Sequence, residues 1–251
     1  VIALPTPTLI ALDAVGTLFG LKESVGAVYA RFAAKGGISV SAAALDQAFF
    51  SAFQAAPPCA FAHVAAADRP RAEFAWWQAV AADTFARAGV LDQFEDFRGF
   101  FAPVFSYYAT AAPWHLYPEV STVLELWHQQ GIPLVIISNF DSRLYGLLKQ
   151  LGLAPFFSAV VISSEVGAAK PDPAIFERAI APYGISPQQA WHIGDSWQDD
   201  VLGAQAAQLQ PIWLRRATRL LPDSGIEHPN SVVQITDLRE LNAILGCSAT
   251  S

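Results

Sequence analysis

Four polar positions in this sequence stand at or shortly beyond the ends of apolar runs, and their types suit group transfer. Asp13 follows Leu9-Ile10-Ala11-Leu12, Ser138-Asn139 follows Leu134-Val135-Ile136-Ile137, and Asp195 follows Trp191-His192-Ile193-Gly194. Lys170 comes soon after the run from Ala159 to Ser163. A carboxylate can attack phosphorus or carbon and form a covalent intermediate that water then hydrolyses. A hydroxyl and an amide can hold the oxygens of a reacting group, and an ammonium is a compact charge that neutralises them. Taken singly, each residue has a plain reading. An Asp after a strand is commonly a turn or helix-cap residue, and a Lys before Pro171 is commonly solvated. Four of them in this order at the ends of strands carry more weight.

The elements that must position these residues follow from the apolar pattern. Five Val/Ile-rich runs bounded by turn residues predict strands at Thr8 to Val15, Ile132 to Ser138, Ala159 to Ser163, Ala190 to Ile193 and Pro211 to Leu214. Helical patterns lie at Val120 to Gln130, Ser142 to Leu151, Pro173 to Tyr183 and Asp199 to Gln208. Alternation of strand and helix predicts an α/β fold, a Rossmann-like parallel sheet with helices on both faces. In such a sheet, ligands bind at the carboxyl ends of the strands, where Asp13, Ser138, Lys170 and Asp195 would converge.

Residues 21–113 read differently. No strand pattern appears, and helices are drawn at Val25 to Lys35, Ala42 to Ala55, Arg71 to Ala88 and Asp92 to Tyr108. Gly36-Gly37 and Pro57-Pro58 punctuate them, and pairs such as Phe49-Phe50, Trp76-Trp77 and Phe100-Phe101 read as core packing. The expected organisation is an α/β core of residues 1–20 and 114–251, interrupted by an all-helical cap of residues 21–113.

Composition narrows the function classes. The 251 residues are 53% hydrophobic and 15% charged, which calls for a large buried core. A formal net charge of −7 and the lack of any Lys/Arg run give no footprint for nucleic acid. No apolar stretch reaches the length of a membrane span, about 20 residues, and Val1 to Thr8 has no basic region of the kind that begins a signal peptide. The expectation is a cytoplasmic protein with a small-molecule substrate. Cys59 and Cys247 are too few for a disulfide framework and are read as reduced, inert thiols. His63, His115, His128 and His228 show no metal spacing, and His192 reads as a core residue. Arg215-Arg216 reads as a solvated pair.

The motifs together resemble those of the haloacid dehalogenase-like (HAD) hydrolase superfamily. Asp13-Ala14-Val15-Gly16-Thr17-Leu18 looks like its first motif, Ile136-Ile137-Ser138-Asn139 its second, and Lys170-Pro171-Asp172-Pro173-Ala174-Ile175-Phe176 its third. His192-Ile193-Gly194-Asp195-Ser196, followed by Asp199-Asp200-Val201-Leu202-Gly203-Ala204, is similar to the fourth. The resemblance covers residues 8–18 and about 118–216, and it places a helical cap directly after the first motif. It implies that Asp13 is the nucleophile, that Thr17 hydrogen-bonds beside it, and that Lys170 neutralises both nucleophile and transferred group. Ser138 and the amide of Asn139 would hold substrate oxygens. Mg2+ would sit on Asp13, Asp195 and the carbonyl of Val15, with Asp200 as the supporting acid in preference to Asp199. Asp199 is then read as a helix cap.

One position departs from the family pattern. Its phosphatases carry a second Asp two residues after the nucleophile, a general acid worth about 10² to 10⁴ in rate, where this chain has Val15. The family's dehalogenases also lack that acid, but they use an early cap Arg within a pattern that the surroundings of Arg31 do not match. Phe74-Ala75-Trp76-Trp77-Gln78 and Asp83-Thr84-Phe85 resemble a branch of HAD-like proteins that lacks the acid too. Three readings therefore stand. One is a Mg2+-dependent phosphatase of a small phosphomonoester, the second a 2-haloacid dehalogenase, and the third a non-catalytic HAD-like protein that binds a ligand or partner.

Overall fold

The computed structural model describes residues 4–216 and 232–246, so His228 and Cys247 lie outside the described residues. Its strands are β1 (Leu9–Leu12), β2 (Phe19–Leu21), β3 (Trp114–Leu116), β4 (Leu134–Ser138), β5 (Ala159–Ile162), β6 (Ala190–Gly194), β7 (Gln210–Leu214) and β8 (Val233–Ile235). Six of them form one parallel sheet in the order β5-β4-β1-β6-β7-β8. The five predicted runs are all in it. β8, a three-residue edge strand, was too short to show a pattern in the sequence.

Leu9-Ile10-Ala11-Leu12 is apolar without alternation because β1 is covered on both faces. Ile10 and Leu12 pack with Val123, Leu124 and Trp127 of α5 (Val120–Gln129) and with Leu144 and Leu147 of α6 (Arg143–Gln150). Leu9 and Ala11 face Ile175, Phe176 and Ala179 of α8 (Pro173–Ile180) and Ala204 of α9 (Gly203–Ala206). A short helix, α7 (Ser163–Val166), follows β5. Each fully buried Leu or Ile contributes about 1.5–3 kcal/mol, so these two layers hold the ends of β1, β4 and β6 rigidly.

The chain runs from β1 outward to β4 and β5, then crosses to β6, β7 and β8 on the other side. β1 is therefore the point where strand order reverses, and a crevice opens there at the carboxyl ends. β2 and β3 pair antiparallel in a separate ribbon, with Phe19 opposite Leu116 and Leu21 opposite Trp114. Sequence reasoning placed no strands here, since each is only three residues long.

Between β2 and β3 lie α1 (Val25–Lys35), α2 (Ala42–Ala55), α3 (Arg69–Arg87) and α4 (Phe97–Tyr107), and no strand. Ser24 and Ser41 cap the first two by accepting from Ala27 and Ala44, an N-cap contribution of about 1 kcal/mol each. The helices share a core of Tyr29, Leu45, Phe85, Phe101 and Val104, against which Phe49, Trp77 and Phe100 pack. The expected helix from Asp92 to Tyr108 is interrupted. A 3-10 turn at Leu91–Gln93 precedes α4, whose true start is set by the Asp96 carboxylate accepting from Gly99 at 2.9 Å. Likewise, the helix expected from Asp199 begins earlier, as a π-helical turn at Trp197–Leu202.

Candidate active site

Asp13 lies one residue beyond Leu12, which is level with Ile136 of β4 and Ile193 of β6. Its backbone N–H donates to the Ile193 carbonyl at 2.9 Å, so the sheet ladder itself aims the residue. The Asp13 carboxylate is buried, and its Oδ1 accepts from Lys170 Nζ at 2.7 Å and from Ser138 Oγ at 3.2 Å. The same ammonium donates to Asp200 Oδ1 at 2.6 Å. Lys170 thus bridges two buried carboxylates whose residues are 187 apart in sequence, from 13 to 200.

The Asn139 side chain is engaged with the backbone of Lys170. Its Oδ1 accepts from the backbone N–H of Lys170 at 2.7 Å, and its Nδ2 donates to the Lys170 carbonyl at 2.9 Å. The carboxamide pins the lysine to the end of β4.

Asp200, not Asp199, faces Lys170. Asp200 Oδ2 accepts from the Ser196 N–H at 2.9 Å, and His192 Nε2 lies 2.9 Å from Oδ1. A Cβ on Gly194 would sit 2.1 Å from the Asp200 carboxyl carbon, so only glycine lets the acid lie against the end of β6. Asp199 is not the cap it was expected to be. Ser196 is, accepting from the Asp199 N–H at 3.1 Å. His192 is fully buried, edge-on to Phe176, as a core residue should be, but it also braces Asp200.

Asp13, Asp195 and Asp200 offer carboxylate oxygens within 4.8 Å of one another. Asp195 is half-buried, its backbone carbonyl held by Trp213 Nε1 at 3.0 Å. Its carboxylate lies against Gly16, where φ is +89° and an added Cβ would meet all three carboxyl atoms at 2.6 Å. An all-oxygen set of this kind suits a hard divalent cation. Val15 is half-buried and packs on the sheet core, with a bridge to Phe19. Thr17 departs from expectation. Its hydroxyl is buried with no hydrogen-bond partner among the described residues, and only its carbonyl is engaged.

Burial pushes the Lys170 ammonium down, but Asp13 and Asp200 outweigh it and hold the group above the usual lysine range. For Asp200, burial raises the carboxyl, yet Lys170 and His192 prevail and keep it well below the carboxylate range. Burial dominates at Asp13, which is raised even with Lys170 beside it. Burial also lowers the His192 imidazole.

A second polar network lies beside Asn139 and was not anticipated. The buried Asp141 accepts from Arg143 in a two-point ion pair and from Trp77 Nε1 of α3 at 2.6 Å. The Arg143 guanidinium lies 3.8 Å from the Phe105 ring centroid and donates to the Phe105 carbonyl at 3.1 Å. Glu73, also of α3 and buried, accepts from the Ser142 N–H at 3.0 Å, from the Ser142 hydroxyl, and from Ser164 Oγ at 2.7 Å. Arg216 is not a solvated residue either. It is largely buried and paired with Glu119 at 2.6 Å, while Arg215 is exposed. The available signal was weak: a charge next to motif two, and a charge at the end of a strand.

A doubly wound sheet thus delivers three acids, a serine and a lysine to its switch point. The chain matches the family model of haloacid dehalogenase-like hydrolases over residues 7–208, and it belongs to that family. It is 32% identical, over 202 residues, to haloacid dehalogenase-like hydrolase domain-containing protein 3 of Bos taurus, covering 79% of this chain and 78% of that one. Over 127 residues it is 37% identical to a phosphoserine phosphatase of Thermus thermophilus, about half of each chain. The fold is shared with a HAD phosphatase from Thermococcus onnurineus (TM-score 0.63, 23% identity, 96% and 99% covered). It is shared also with a 2-haloacid dehalogenase from Pseudomonas syringae (TM-score 0.56, 23% identity, 95% and 97% covered). Among the described residues, no helix is long and apolar enough to cross a membrane.

Proposed function

We propose that this chain is a Mg2+-dependent phosphatase of a small phosphomonoester, with residues 21–113 acting as a helical cap over the crevice. The observation that carries the reading is the third carboxylate. Asp195 stands within reach of Asp13 and Asp200, and the Lys170 ammonium pairs with the latter two. Displacement of a halide needs no such oxygen cluster, whereas phosphoryl transfer uses bound cation charge. The phosphatase names of the Thermus relative and of a glyceraldehyde 3-phosphate phosphatase from Methanopyrus kandleri (31% identical over 135 residues) support it.

In this reading Asp13, Asp195 and the Val15 carbonyl would hold Mg2+, supported by Asp200, and the ion would supply positive charge to the phosphoryl oxygens. Asp13 Oδ1 is held by Lys170 and Ser138, which leaves Oδ2 to attack phosphorus. The P–O bond to the alcohol breaks, its electron pair leaves with the oxygen, and a proton from water completes the alcohol. A second water then hydrolyses the aspartyl phosphate, releasing phosphate and restoring Asp13, and the proton it sheds neutralises the hydroxide left by the first. Lys170 neutralises charge on the transferred group, and Asn139 keeps it in place. Since Val15 cannot protonate the leaving group, good substrates are those whose leaving oxygen departs without that help.

The half-buried, apolar Val15 favours a second reading, a 2-haloacid dehalogenase, because halide leaves without a proton. Phosphate and halide release, each measured with and without Mg2+, separate the two. Mg2+-dependent phosphate release that Asp13→Asn abolishes in a folded protein is the expected result. Halide release independent of Mg2+, or turnover retained by Asp13→Asn, would overturn it.

A further inference from the structure

We propose that Arg216 is a positioning residue, which holds the loop after Asp13 in the conformation that the metal site requires. The proposal rests on the phosphatase reading above. Arg216 follows β7, and its side chain is 8% exposed. One guanidinium there makes contacts with two separate segments. Its Nε donates to the Gly16 carbonyl at 3.2 Å, and its Nη2 donates to the Thr17 carbonyl at 2.7 Å and to Glu119 Oε1 at 2.6 Å. Its flat face lies 3.7 Å from the centroid of the Tyr117 ring.

The two carbonyls belong to the strand-to-ribbon passage on its way out, and Tyr117 and Glu119 belong to the return. Arg216 therefore ties both crossings between the sheet and the helical insertion to the end of β7. Two consecutive carbonyls directed at one cation require an unusual turn, which Gly16 supplies with its φ of +89°. Gly16 is then held on every side. Its N–H donates to the Phe19 carbonyl at 2.8 Å, its own carbonyl accepts from Arg216, and the Asp195 carboxylate fills the space where a side chain would begin. The N–H of Gly16 and the carbonyl of Val15 share one planar peptide. Fixing Gly16 thus fixes the direction of the proposed third metal oxygen and its spacing from Asp195.

Arg216→Lys tests this directly. A lysine keeps the charge opposite Glu119, but a point charge cannot serve two carbonyls and a carboxylate in one plane as the guanidinium does. Supporting contacts around metal sites typically matter by about 10- to 100-fold in affinity or activity. The expected result is Mg2+ binding weaker by about tenfold in calorimetric titration, a similar fall in kcat for p-nitrophenyl phosphate with KM little changed, and faster hydrogen exchange of amides 14–19. Arg216→Met combined with Glu119→Gln, which leaves no unpaired buried carboxylate, should do the same if the lysine variant folds poorly. Unchanged Mg2+ affinity and unchanged exchange in a folded variant would overturn the proposal. If wild type itself neither binds Mg2+ nor releases phosphate, the phosphatase reading fails, and hydrogen exchange alone decides. Faster exchange at residues 14–19 then upholds the clamp, and equal exchange removes it.

Discussion

Glu73 is the contact whose loss should be most visible outside the site. It is a carboxylate 1% exposed on α3, and it accepts three hydrogen bonds, two from Ser142 and one from Ser164. Ser142 stands just before α6, so the carboxylate also satisfies an N–H at a helix N-terminus, where negative charge is favoured. Glu73→Ala removes the side chain that joins these two core positions to the insertion. Hydrogen bonds to a charged group are worth about 1.5–3 kcal/mol each, but three on one carboxylate do not add fully. Leaving a buried neutral donor unpaired costs about 1–3 kcal/mol. We expect a loss of about 3 kcal/mol in urea unfolding. For a chain of this size that is a fall in Tm of about 6–12 °C. Glu73→Gln, which keeps the shape and one acceptor oxygen, should lose less. A double-mutant cycle with Ser142→Ala isolates the contact, with an expected coupling above about 1 kcal/mol. A loss below about 0.5 kcal/mol in Glu73→Ala, or additivity in the cycle, would refute the reasoning.

Val15→Asp should raise hydrolysis of alkyl phosphates by about tenfold or more and change p-nitrophenyl phosphate hydrolysis much less. Equal gains on both would point to binding or metal affinity and not to protonation. Asp195→Asn should weaken Mg2+ binding measured by calorimetry, and affinity equal to wild type would place the ion elsewhere. Gly194→Ala should cut turnover with little change in helix content, because its Cβ would meet the Asp200 carboxyl at 2.1 Å. Wild-type turnover in that variant would remove Asp200 from the supporting role. The Cys59 thiol is pushed up to about 12, chiefly by burial, with Asp141 and Glu73 adding to it. Mass spectrometry after maleimide treatment at pH 8 should find Cys59 unlabelled until denaturant is added, and rapid labelling of the native protein would contradict its burial.

Sequence alone determined the elements whose cause is local. α1 and α2 begin and end where the pattern placed them, because Ser24 and Ser41 cap them and their apolar spacing is helical. β1 and β4 were legible because runs buried on both faces are apolar without interruption, β6 shows the same pattern apart from His192, and Asp13, Ser138 and Asp195 stand at or next to their ends. Tertiary structure decided what depends on partners far along the chain. Arg216 looked solvated until residues 16, 17 and 119 were brought around it, and Glu73 is one acid among several on a helix until Ser142 and Ser164 meet it. Asn139 proved to hold Lys170 by its backbone, and the preference for Asp200 over Asp199 gained its physical basis in the contacts that Asp200 makes with Lys170, His192 and Gly194. A hydrogen bond between residues far apart in sequence leaves no periodicity in either segment. Its energy depends on burial and direction, which exist only once the sheet has closed.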